Sequence, residues 1–380
     1  MIKMAVRQGR EILQVLQICH CYYPPFLDCA RQYSKLFEGT GYKVVTVYLT
    51  GEPSAEVAQA TCSDEVIFLG YKSSQVRGLK LKAIAEIRKI LASGAFKFCI
   101  AHRSKPTYVA LLASQLPVVS IHHNYDDFGR FTRRLLVNLF RNRLLLLGVS
   151  DSVRDEMRAC LPKWPSSQIE TLYNRIDVAA VQSQFLSREA AREFLGLPAD
   201  SWIVGNVGRL HHDKDQATLL RGFKKALPNL PANSLLVVMG KGPLEKDLKQ
   251  LALDLGIAQS VVFTGNVPDG KKYFKAFDVF ALTSDHEPFG MVLLEAMAAG
   301  LPLICSNCGG GAEVARDVGQ LFTLGDAEML SQCLVNEFKG NSGVENTAMY
   351  TKLNQSFSDE AAKKRFWDLS FIKGLFSDRE

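Results

Sequence analysis

The stretch Trp202–Gln216, WIVGNVGRLHHDKDQ, joins a short apolar run to a glycine and then to a group of charged residues. Gly208 allows the backbone to turn where the apolar run ends. Similar runs, separated by helical stretches, recur on both sides of it: ILQVLQIC, YKVVTVYLTG, VIFLG, FKFCIAH, PVVSIHH and LLLLGVS before it, and SLLVVMGKG, VVFTGNV, VFALTS and PLICSN after it. Near-continuous apolar strands separated by helices predict parallel sheets that helices cover on both faces.

Two such series in 380 residues predict an α/β protein with two doubly wound, Rossmann-like domains that face a central cleft. We expect an N-terminal domain over 1–182 and a C-terminal domain over 183–355, divided in the polar stretch after Asp177. A last helix, 356–380, could belong to either domain and could cross back to the first. Open parallel sheets bind ligands beyond the carboxyl ends of their strands, so functional residues should follow strand ends.

Composition predicts a folded protein of the cytoplasm. With 47% hydrophobic and 22% charged residues, the chain is typical of globular proteins. The run Leu144–Val149 is too short to span a bilayer, and Gln14 and Gln17 interrupt the N-terminal apolar stretch, which we interpret as a buried strand and not a signal peptide. The odd number of cysteines, nine, fits a reducing compartment, and the CSNC of Cys305–Cys308 is one knuckle where zinc sites usually need two.

The net charge of +6 is unevenly distributed, with +9 through Gln182 and −3 in the remainder. This asymmetry indicates an anionic partner for the first half. Arginines alternate with Leu, Val and Phe in RFTRRLLVNLFRNR, Arg130–Arg143. The segment is either a surface helix with one solvated face or a helix that touches an anionic membrane surface.

Several polar residues follow the predicted strands. His122 and His123 end one strand, and because side chains alternate along a strand, only one of them can face the cleft. Arg209 and Lys214 follow another strand, and two cations at a strand end suit a phosphate or diphosphate. The same loop contains the D-x-D of Asp213–Asp215, which could hold a divalent metal, although Lys214 between the aspartates disfavours a bound cation.

The segment EPFGMVLLEAMAAGLP, Glu287–Pro302, predicts a buried helix with Pro288 in its first turn. Glu295 would be its one charged group and would need strong hydrogen bonds. Glu287 precedes a helix N-terminus that suits phosphate, with backbone N–H groups accessible near Gly290. Eight residues of helix separate the carboxylates by roughly 12 Å along the axis. This spacing argues against the acid pair of a sugar hydrolase, whose carboxyl groups lie about 5–9.5 Å apart.

Four segments together resemble the retaining GT-B glycosyltransferases of family 4, and among them the lipopolysaccharide-core type. The segment from Glu287 resembles the E-x7-E motif, VGRLHHDKD the G-R-L-x-x-x-K phosphate clamp, and VVMGKGP the G-x-G-P turn. YNRID is similar to the N-G-V-D segment, with Arg175 where the family has glycine. The resemblance covers residues from about 118 to 330. It is poorer in CHCYYPPFLDCARQY, where Tyr23, Pro24 and Pro25 stand where the family has a Gly-Gly loop.

The resemblance implies a site for a nucleotide-sugar donor. Arg209 and Lys214 would bind the diphosphate, Glu295 the ribose and Glu287 the donor sugar, while the nucleotide base would pack near Val267. His123 would contact the sugar near the anomeric centre, with His122 as second choice. The implied catalytic residues are His123, Arg209, Lys214 and Glu287, and the implied donor-binding residues are Gly208, Arg209, Lys214, Val267, Glu287, Phe289, Gly290, Met291, Val292 and Glu295. Asp28, Arg31 and His122 are the candidate acceptor-binding residues.

The expected reaction transfers a sugar, with retention of configuration, from a nucleoside-diphosphate sugar to a growing glycan. A UDP-sugar is the favoured donor, and a phosphorylated or lipid-linked acceptor, above all the lipopolysaccharide core, is the favoured acceptor. No metal is expected, because fixed cations neutralise the leaving group, and neither a cofactor nor a nucleic-acid partner is expected. The enzyme would be cytoplasmic, with peripheral contact at the inner face of the membrane. The alternatives are an enzyme of the same fold with a soluble acceptor and a sugar-nucleotide epimerase or binding protein.

Overall fold

The computed structural model describes residues 13–23, 26–341, 343 and 346–376 and has two compact α/β units. The first comprises the described residues up to Val149, Arg154–Leu172 and those from Lys363 onward, and the second comprises Ser150–Val153 and Tyr173–Ala362. Each unit contains one parallel sheet flanked by helices. The fold class predicted from the alternating pattern, with two Rossmann-like domains, is confirmed. Pro24 and Pro25 lie outside the described residues.

The first unit is built on a seven-stranded sheet with strand order β3-β2-β1-β4-β5-β6-β7. Its strands are β1 (Gln14–Cys19), β2 (Lys43–Thr50), β3 (Glu65–Tyr71), β4 (Phe96–His102), β5 (Val118–His122), β6 (Leu144–Gly148) and β7 (Ile169–Thr171). The helices between these strands are α1 (Phe26–Lys35), α2 (Ala55–Ala60), α3 (Leu81–Ala92), α4 (Ser104–Ala113), α5 (Phe131–Leu139) and α6 (Asp151–Cys160). Strand β1 pairs with both β2 and β4, so the direction of winding reverses between β1 and β4.

The second unit repeats this plan with a six-stranded sheet of order β10-β9-β8-β11-β12-β13. Its strands are β8 (Ile203–Val207), β9 (Leu235–Met239), β10 (Val261–Gly265), β11 (Val279–Leu282), β12 (Leu303–Ser306) and β13 (Gln320–Phe322). Its helices up to β13 are α7 (Val178–Gln184), α8 (Arg188–Leu195), α9 (Gln216–Ala226), α10 (Glu245–Asp254), α11 (Met291–Ala298) and α12 (Gly309–Ala315). Here the winding reverses between β8 and β11, which pair directly.

The central strands are buried on both faces, as their continuous apolar sequences predict. The four leucines of β6, Leu144–Leu147, are all 0% exposed although successive side chains point to opposite sides of the sheet. In the second unit Val204, Val238 and Ile304 are fully buried members of one apolar cluster. Helices on both faces therefore exclude water from the middle of each sheet, whereas the edge strands β3 and β10 are partly exposed.

The boundary between the two units lies at a different residue from the one predicted. The predicted boundary at 182 falls inside α7, whereas the second unit already contains Tyr173. The polar stretch that suggested a linker is the exposed face of α7 and α8, of which only Val181, Ala191 and Arg192 are buried.

After β13 the chain forms α13 (Ala327–Phe338), α14 (Asn346–Phe357), α15 (Asp359–Asp368) and α16 (Ser370–Gly374). The last helix predicted over 356–380 is therefore divided into α15 and α16, after the end of α14. From Lys363 onward the chain packs with the first unit. There the Trp367 indole N–H donates to the Leu36 carbonyl at 2.9 Å, and its ring contacts Phe37 and Tyr42.

Candidate functional site

Two loops of the second unit meet where its sheet reverses direction. One follows β8 and contains Gly208, Arg209 and Lys214, and the other follows β11 and leads to Glu287. The Asp285 N–H donates to the Asp213 carbonyl at 3.1 Å, and the Thr283 hydroxyl donates to the Lys214 carbonyl at 2.9 Å. The structure thus brings together two segments whose contacting residues lie 69 to 73 residues apart in the sequence. This is the edge at which doubly wound sheets bind ligands.

Lys214 and Glu287 form an ion pair in this loop cluster. The ammonium nitrogen of Lys214 lies 2.6 Å from Oε2 of Glu287, and the two side chains are 17% and 12% exposed. The Ser284 hydroxyl lies 3.4 Å from the same carboxylate oxygen. Lys214, the candidate to bind phosphate, and Glu287, the candidate to bind the donor sugar, are therefore direct partners in this structure.

Arg209 lies beside this pair with its side chain 71% exposed, and its guanidinium is 3.4 Å from Asp213. The Gln216 side chain donates to the Arg209 carbonyl at 2.9 Å and holds the loop. Both aspartates of the D-x-D have local roles: Asp213 also contacts Nδ1 of His211 at 2.5 Å, and Asp215 caps α9. Within the residues that the structure describes, no group of three or more His, Cys, Asp or Glu could hold a metal ion.

Helix α11 begins later and is less buried than the sequence suggested. It starts at Met291, after Gly290 with φ 95°, so the prediction that Pro288 occupies its first turn is wrong. Met291, Val292 and Glu295 are partly exposed, whereas Leu293 and Leu294 are 0% exposed. The expectation of an all-round buried helix is therefore wrong too, because Glu295 is three residues from Val292 and four from Met291, spacings that place these side chains on one side of the helix.

The glycine-rich segment after β12 forms helix α12 and packs against the Glu287 loop. The Gly310 N–H donates to the Glu287 carbonyl at 2.8 Å, and a Cβ at Gly310 would collide with the Pro288 carbonyl oxygen. A Cβ at Gly311 would lie 3.5 Å from Cγ of Glu287. The absence of side chains here lets the two backbones approach closely and fixes Glu287.

The turn after β9 packs against the loop after β8. Gly240 has φ 146°, and a Cβ there would collide with the Gly208 carbonyl oxygen. The Leu210 N–H donates to the Lys241 carbonyl at 3.1 Å. Gly208 itself is open, because a Cβ built on it would meet no atom within 4 Å.

Two further candidate donor residues differ in exposure. Val267, two residues after β10, is partly exposed. The Phe289 ring is 2% exposed and packs against the rings of Tyr173 and Phe357. Only the backbone of Phe289 is therefore expected to contact a sugar donor.

In the first unit, His122 and His123 have different surroundings. His122 is 1% exposed, with Nε2 2.9 Å from the Ser120 hydroxyl and Nδ1 2.8 Å from Asp127. Although burial opposes ionisation, the hydrogen bonds from His122 and Ser104 lower the pKa of Asp127 to about 2. His122 is thus held inside the unit.

His123 is partly exposed and belongs to a different set of contacts. Its Nε2 lies 3.2 Å from Nδ1 of His102, and its Nδ1 lies 3.7 Å from the Cys29 sulfur. Burial, followed by the nearby Arg103, lowers the pKa of His123 to about 3. The imidazole is therefore neutral at physiological pH.

Sequence reasoning missed Arg103, which directly follows β4 at the reversal point of the first sheet. Its backbone has φ 74° and ψ 169°, a conformation that side chains other than glycine rarely adopt. Burial, together with the nearby Lys105 and Arg103, lowers the pKa of His20 to about 4. The signal was present, since HRSK follows a strand end just as GRL does.

The two candidate acceptor residues on α1 interact with each other. Nε of Arg31 lies 3.1 Å from Oδ1 of Asp28, and Gln32 donates to Oδ2 of Asp28 at 2.8 Å. Their role in acceptor binding stays a prediction.

Comparisons with known proteins agree with this fold. Residues 187–335 match the model of a family described as "Glycosyl transferases group 1". Over 153 residues the chain is 34% identical to the lipopolysaccharide core biosynthesis glycosyltransferase LpsE of Rhizobium meliloti, covering 40% of this chain and 44% of that protein. The chain spans under half the length of the first three curated relatives that it matches, between 43% and 44%.

Similarity to solved structures extends over nearly the whole chain. A glycosyltransferase from Rickettsia africae superimposes with a TM-score of 0.80 at 16% identity, covering 96% of this chain and 99% of that one. Anabaena HepE in complex with UDP-glucose superimposes with a TM-score of 0.74 at 19% identity, covering 96% and 99%. At these identities the likeness establishes the fold, which is that of GT-B glycosyltransferases.

Proposed function

We propose that the protein is a glycosyltransferase that uses a nucleoside-diphosphate sugar, with a UDP-sugar favoured. One observation carries the proposal: the Lys214–Glu287 ion pair and Arg209 lie together at the reversal point of the second sheet, beside the loop that leads into α11. A diphosphate carries the charge that this arrangement suits, since cations and a helix N-terminus both stabilise anions. The similarity to HepE, solved with UDP-glucose, supports a uridine nucleotide.

The partners within the site suggest how a donor would be held. Arg209 is mostly exposed and its contact with Asp213 is long, so it can turn to a phosphate at little cost. The first N–H groups of α11 have no partner within the helix and would donate to a second phosphate oxygen. Lys214 would share its ammonium between Glu287 and the leaving diphosphate. Glu295, on the partly exposed side of α11, would accept hydrogen bonds from ribose hydroxyls, and Glu287 from the donor sugar.

The chemistry that follows is transfer with retention and without a metal, as in family 4. Lys214 and Arg209 would stabilise the negative charge of the departing diphosphate. The local roles of Asp213 and Asp215, an ion-pair partner and a helix cap, support the proposal that the D-x-D is not a metal ligand set. Activity that survives EDTA would agree with it, and activity lost to EDTA and restored by Mg²⁺ or Mn²⁺ would refute it. The anomeric configuration of the product, read by NMR, tests retention.

The proposed acceptor is the lipopolysaccharide core or a related lipid-linked or phosphorylated glycan. Its support is the similarity to LpsE together with the +9 charge of the first 182 residues. The acceptor would bind to the first unit, where Asp28 and Arg31 are the candidate contacts; the third candidate, His122, is buried. Transfer of labelled sugar to truncated core oligosaccharides, compared with free glucose and fructose 6-phosphate, tests the acceptor class.

Helix α5 supports peripheral contact with an anionic membrane. Phe131, Leu135 and Leu139 are spaced by four residues and are 68%, 58% and 74% exposed, so they form one apolar stripe. Arg130 and Arg141 flank it and are exposed. An exposed apolar stripe with basic flanks suits the surface of a bilayer that contains anionic lipids. Within the described part of the chain no helix has the length and apolar character needed to cross a membrane.

Vesicle sedimentation tests this membrane contact. We expect the protein to bind vesicles of phosphatidylethanolamine and phosphatidylglycerol, and Leu135→Glu to weaken the binding. Phe194→Glu, which alters a residue that is 61% exposed in the second unit, is the matched control and should bind normally. Equal binding by wild type and Leu135→Glu would refute the proposed role of the apolar stripe in membrane binding.

Alanine variants of the two cations test the donor site. Arg209→Ala and Lys214→Ala should lose transfer from UDP-sugars and the stabilisation that UDP gives in a thermal-shift assay. Lys225→Ala, which removes an exposed lysine of α9 that pairs with Glu328, is the control. Normal rates in both site variants would refute the diphosphate assignment. Formation of an epimer of the donor sugar without any transfer product would refute the proposed reaction itself.

A further inference from the structure

A chain of hydrogen-bonding side chains crosses the first unit from β1 to the loop after β5. Gln17 lies on β1, His102 ends β4, and His123 directly follows β5. Oε1 of Gln17 lies 3.3 Å from Nε2 of His102, and Nδ1 of His102 lies 3.2 Å from Nε2 of His123. Nδ1 of His123 lies 3.7 Å from the sulfur of Cys29 on α1. Both histidines thus use both ring nitrogens within this chain.

The orientation of Gln17 sets the direction of the chain. Its amide nitrogen donates to the Ala30 carbonyl at 3.1 Å and contacts the Ser34 and Thr46 hydroxyls at 3.2 and 2.9 Å. A backbone carbonyl can only accept, so the amide nitrogen must face Ala30 and the amide oxygen must face His102. Because Gln17 is 0% exposed, water does not compete for these contacts.

The hydrogen-bond partners also determine which ring nitrogens of His102 and His123 carry protons. The Gln17 oxygen only accepts, so Nε2 of His102 carries its proton, and in a neutral ring Nδ1 is then an acceptor. Nε2 of His123 must donate to that acceptor, which leaves Nδ1 of His123 unprotonated. The Cys29 thiol can donate to it. The charged groups near His123 are Arg103, Asp127 and the titratable His122, and the balance of burial and charge keeps the His123 ring neutral.

We propose that His102 is a positioning residue that holds His123 as the neutral Nε2–H tautomer, with the ring fixed between β4 and α1. This rests on the proposed function for its catalytic consequence, since His123 is the residue expected to contact the donor sugar. The two rings are nearly parallel, at 15° with centroids 5.5 Å apart, so the contact fixes the plane of His123 as well as its proton. Held in this way, His123 offers the sugar its ring carbons and backbone carbonyl, and it does not exchange a proton in the reaction. The tautomer of a functional histidine is set by the hydrogen bond at its other nitrogen.

Nitrogen NMR of the full-length protein with ¹⁵N-labelled histidine tests this assignment. The His123 signals are identified by their loss in His123→Phe. We expect Nδ1 of His123 to be unprotonated and Nε2 protonated, without change between pH 8 and 5.5. A protonated Nδ1, a mixture of tautomers or titration in this range would overturn the proposal. This measurement requires no transferase activity, so its result is separate from that of the proposed function.

Variants at position 102 test the positioning role. His102→Phe keeps a flat ring but offers no acceptor, and we expect it to yield a mixture of His123 tautomers. His102→Gln supplies one donor and one acceptor in the same group and should restore the Nε2–H form. Tyr33→Phe changes a ring that packs edge-on against His102, at 5.0 Å between centroids, and should leave the tautomer unchanged.

Transfer kinetics complete the test. In His102→Phe kcat should fall about tenfold to a hundredfold with the donor KM nearly constant, the size of effect seen when a functional histidine that binds metal loses its hydrogen-bond partner. His102→Gln should recover most of that loss. An unchanged tautomer in His102→Phe, or an altered tautomer with unchanged kcat, would overturn the role of His102.

Discussion

Replacing Lys214 by methionine should destabilise the second unit by a predictable amount. Methionine keeps most of the apolar stem but removes the ammonium that lies 2.6 Å from Glu287, whose side chain is only 12% exposed. Removing one partner of a fully buried ion pair costs about 3–5 kcal/mol, whereas an exposed pair contributes about 0–1 kcal/mol. Because Lys214 and Glu287 are mostly but not fully buried, we expect a loss of about 2–3 kcal/mol.

A matched control is available in the same unit. Lys225 and Glu328 form a pair of similar length, 2.9 Å, but are 51% and 62% exposed. Lys225→Met should therefore cost less than about 1 kcal/mol. The comparison separates burial of the pair from the loss of one positive charge.

The tryptophans allow each unit to be followed separately. Of the three in the chain, Trp202 lies in the second unit, and Trp164 and Trp367 lie in the first. In a Trp164→Phe/Trp367→Phe background, urea unfolding followed by fluorescence reports the second unit. A loss of 2–3 kcal/mol should lower the urea midpoint by about 1 M at the slopes usual for domains of this size.

A double-mutant cycle decides whether the pair itself is responsible. Glu287→Gln removes the carboxylate. In the double variant with Lys214→Met, neither position carries a charge, so no unpaired charge stays buried. We expect a coupling energy of about 1–3 kcal/mol between the two positions. Additive effects, or a Lys214→Met midpoint no lower than that of Lys225→Met, would refute this account of the site.

Three other perturbations follow from the same structure. Gly208→Ala should leave the urea midpoint unchanged, because its Cβ would meet no atom within 4 Å. If a phosphate lies against this turn, the same change should weaken UDP binding about tenfold or more, or about 1.4 kcal/mol. Unchanged affinity by calorimetry would exclude that close approach. Gly310→Ala should lower the stability of the second unit by about 1–3 kcal/mol, because its Cβ would collide with the Pro288 carbonyl, and wild-type stability would contradict the packing. The pKa of His123 is lowered from 6.5 to about 3, so the unfolded chain takes up the proton first. The first unit should therefore lose up to about 1.4 kcal/mol per pH unit below pH 6.5, and His20, with a pKa of about 4, should add to this loss. Urea midpoints between pH 7 and 5, read in a Trp202→Phe background, should fall less steeply in His123→Asn; equal slopes would contradict the lowered pKa.

Sequence reasoning was strongest where a feature depends on neighbouring residues along the chain. The continuous apolar strands predicted two parallel sheets, and glycines followed by charged residues identified the strand ends that carry the loop cluster. Gly300 after α11 has φ 76°, as expected for a residue that ends a helix. The helix start was misjudged because proline is compatible with both a first turn and a preceding loop.

Features that depend on distant residues could not be predicted. Arg175 departs from the family pattern and is 0% exposed, and its partner Asp359, at 3.0 Å, is 184 residues away. The backbone N–H groups of Asp151 and Ser152 donate to the Glu313 carboxylate at 2.8 and 2.7 Å. The glycine-rich segment that ends at Glu313 therefore has a second role besides close packing. Likewise, His102 and His123, which lie 21 residues apart in the sequence, become neighbours only because β4 and β5 pair in parallel.

The arrangement of charges implies how the site selects a diphosphate. Arg209 is near Asp213, and Lys214 is paired with Glu287, so these four side chains carry no net charge together. A ligand with a single negative charge would have to compete with a carboxylate that is already 2.6 Å from the ammonium, and it would gain little. In the proposed donor site a diphosphate would contact Arg209, Lys214 and the N-terminus of α11 at once, and its charge exceeds that of the Glu287 carboxylate with which it would share the Lys214 ammonium. UDP should therefore bind far more tightly than UMP, and in Glu287→Gln, where the competing carboxylate is absent, the difference in affinity between UDP and UMP should become smaller. If UMP and UDP bind equally well to the wild-type protein, the ion pair does not select the diphosphate.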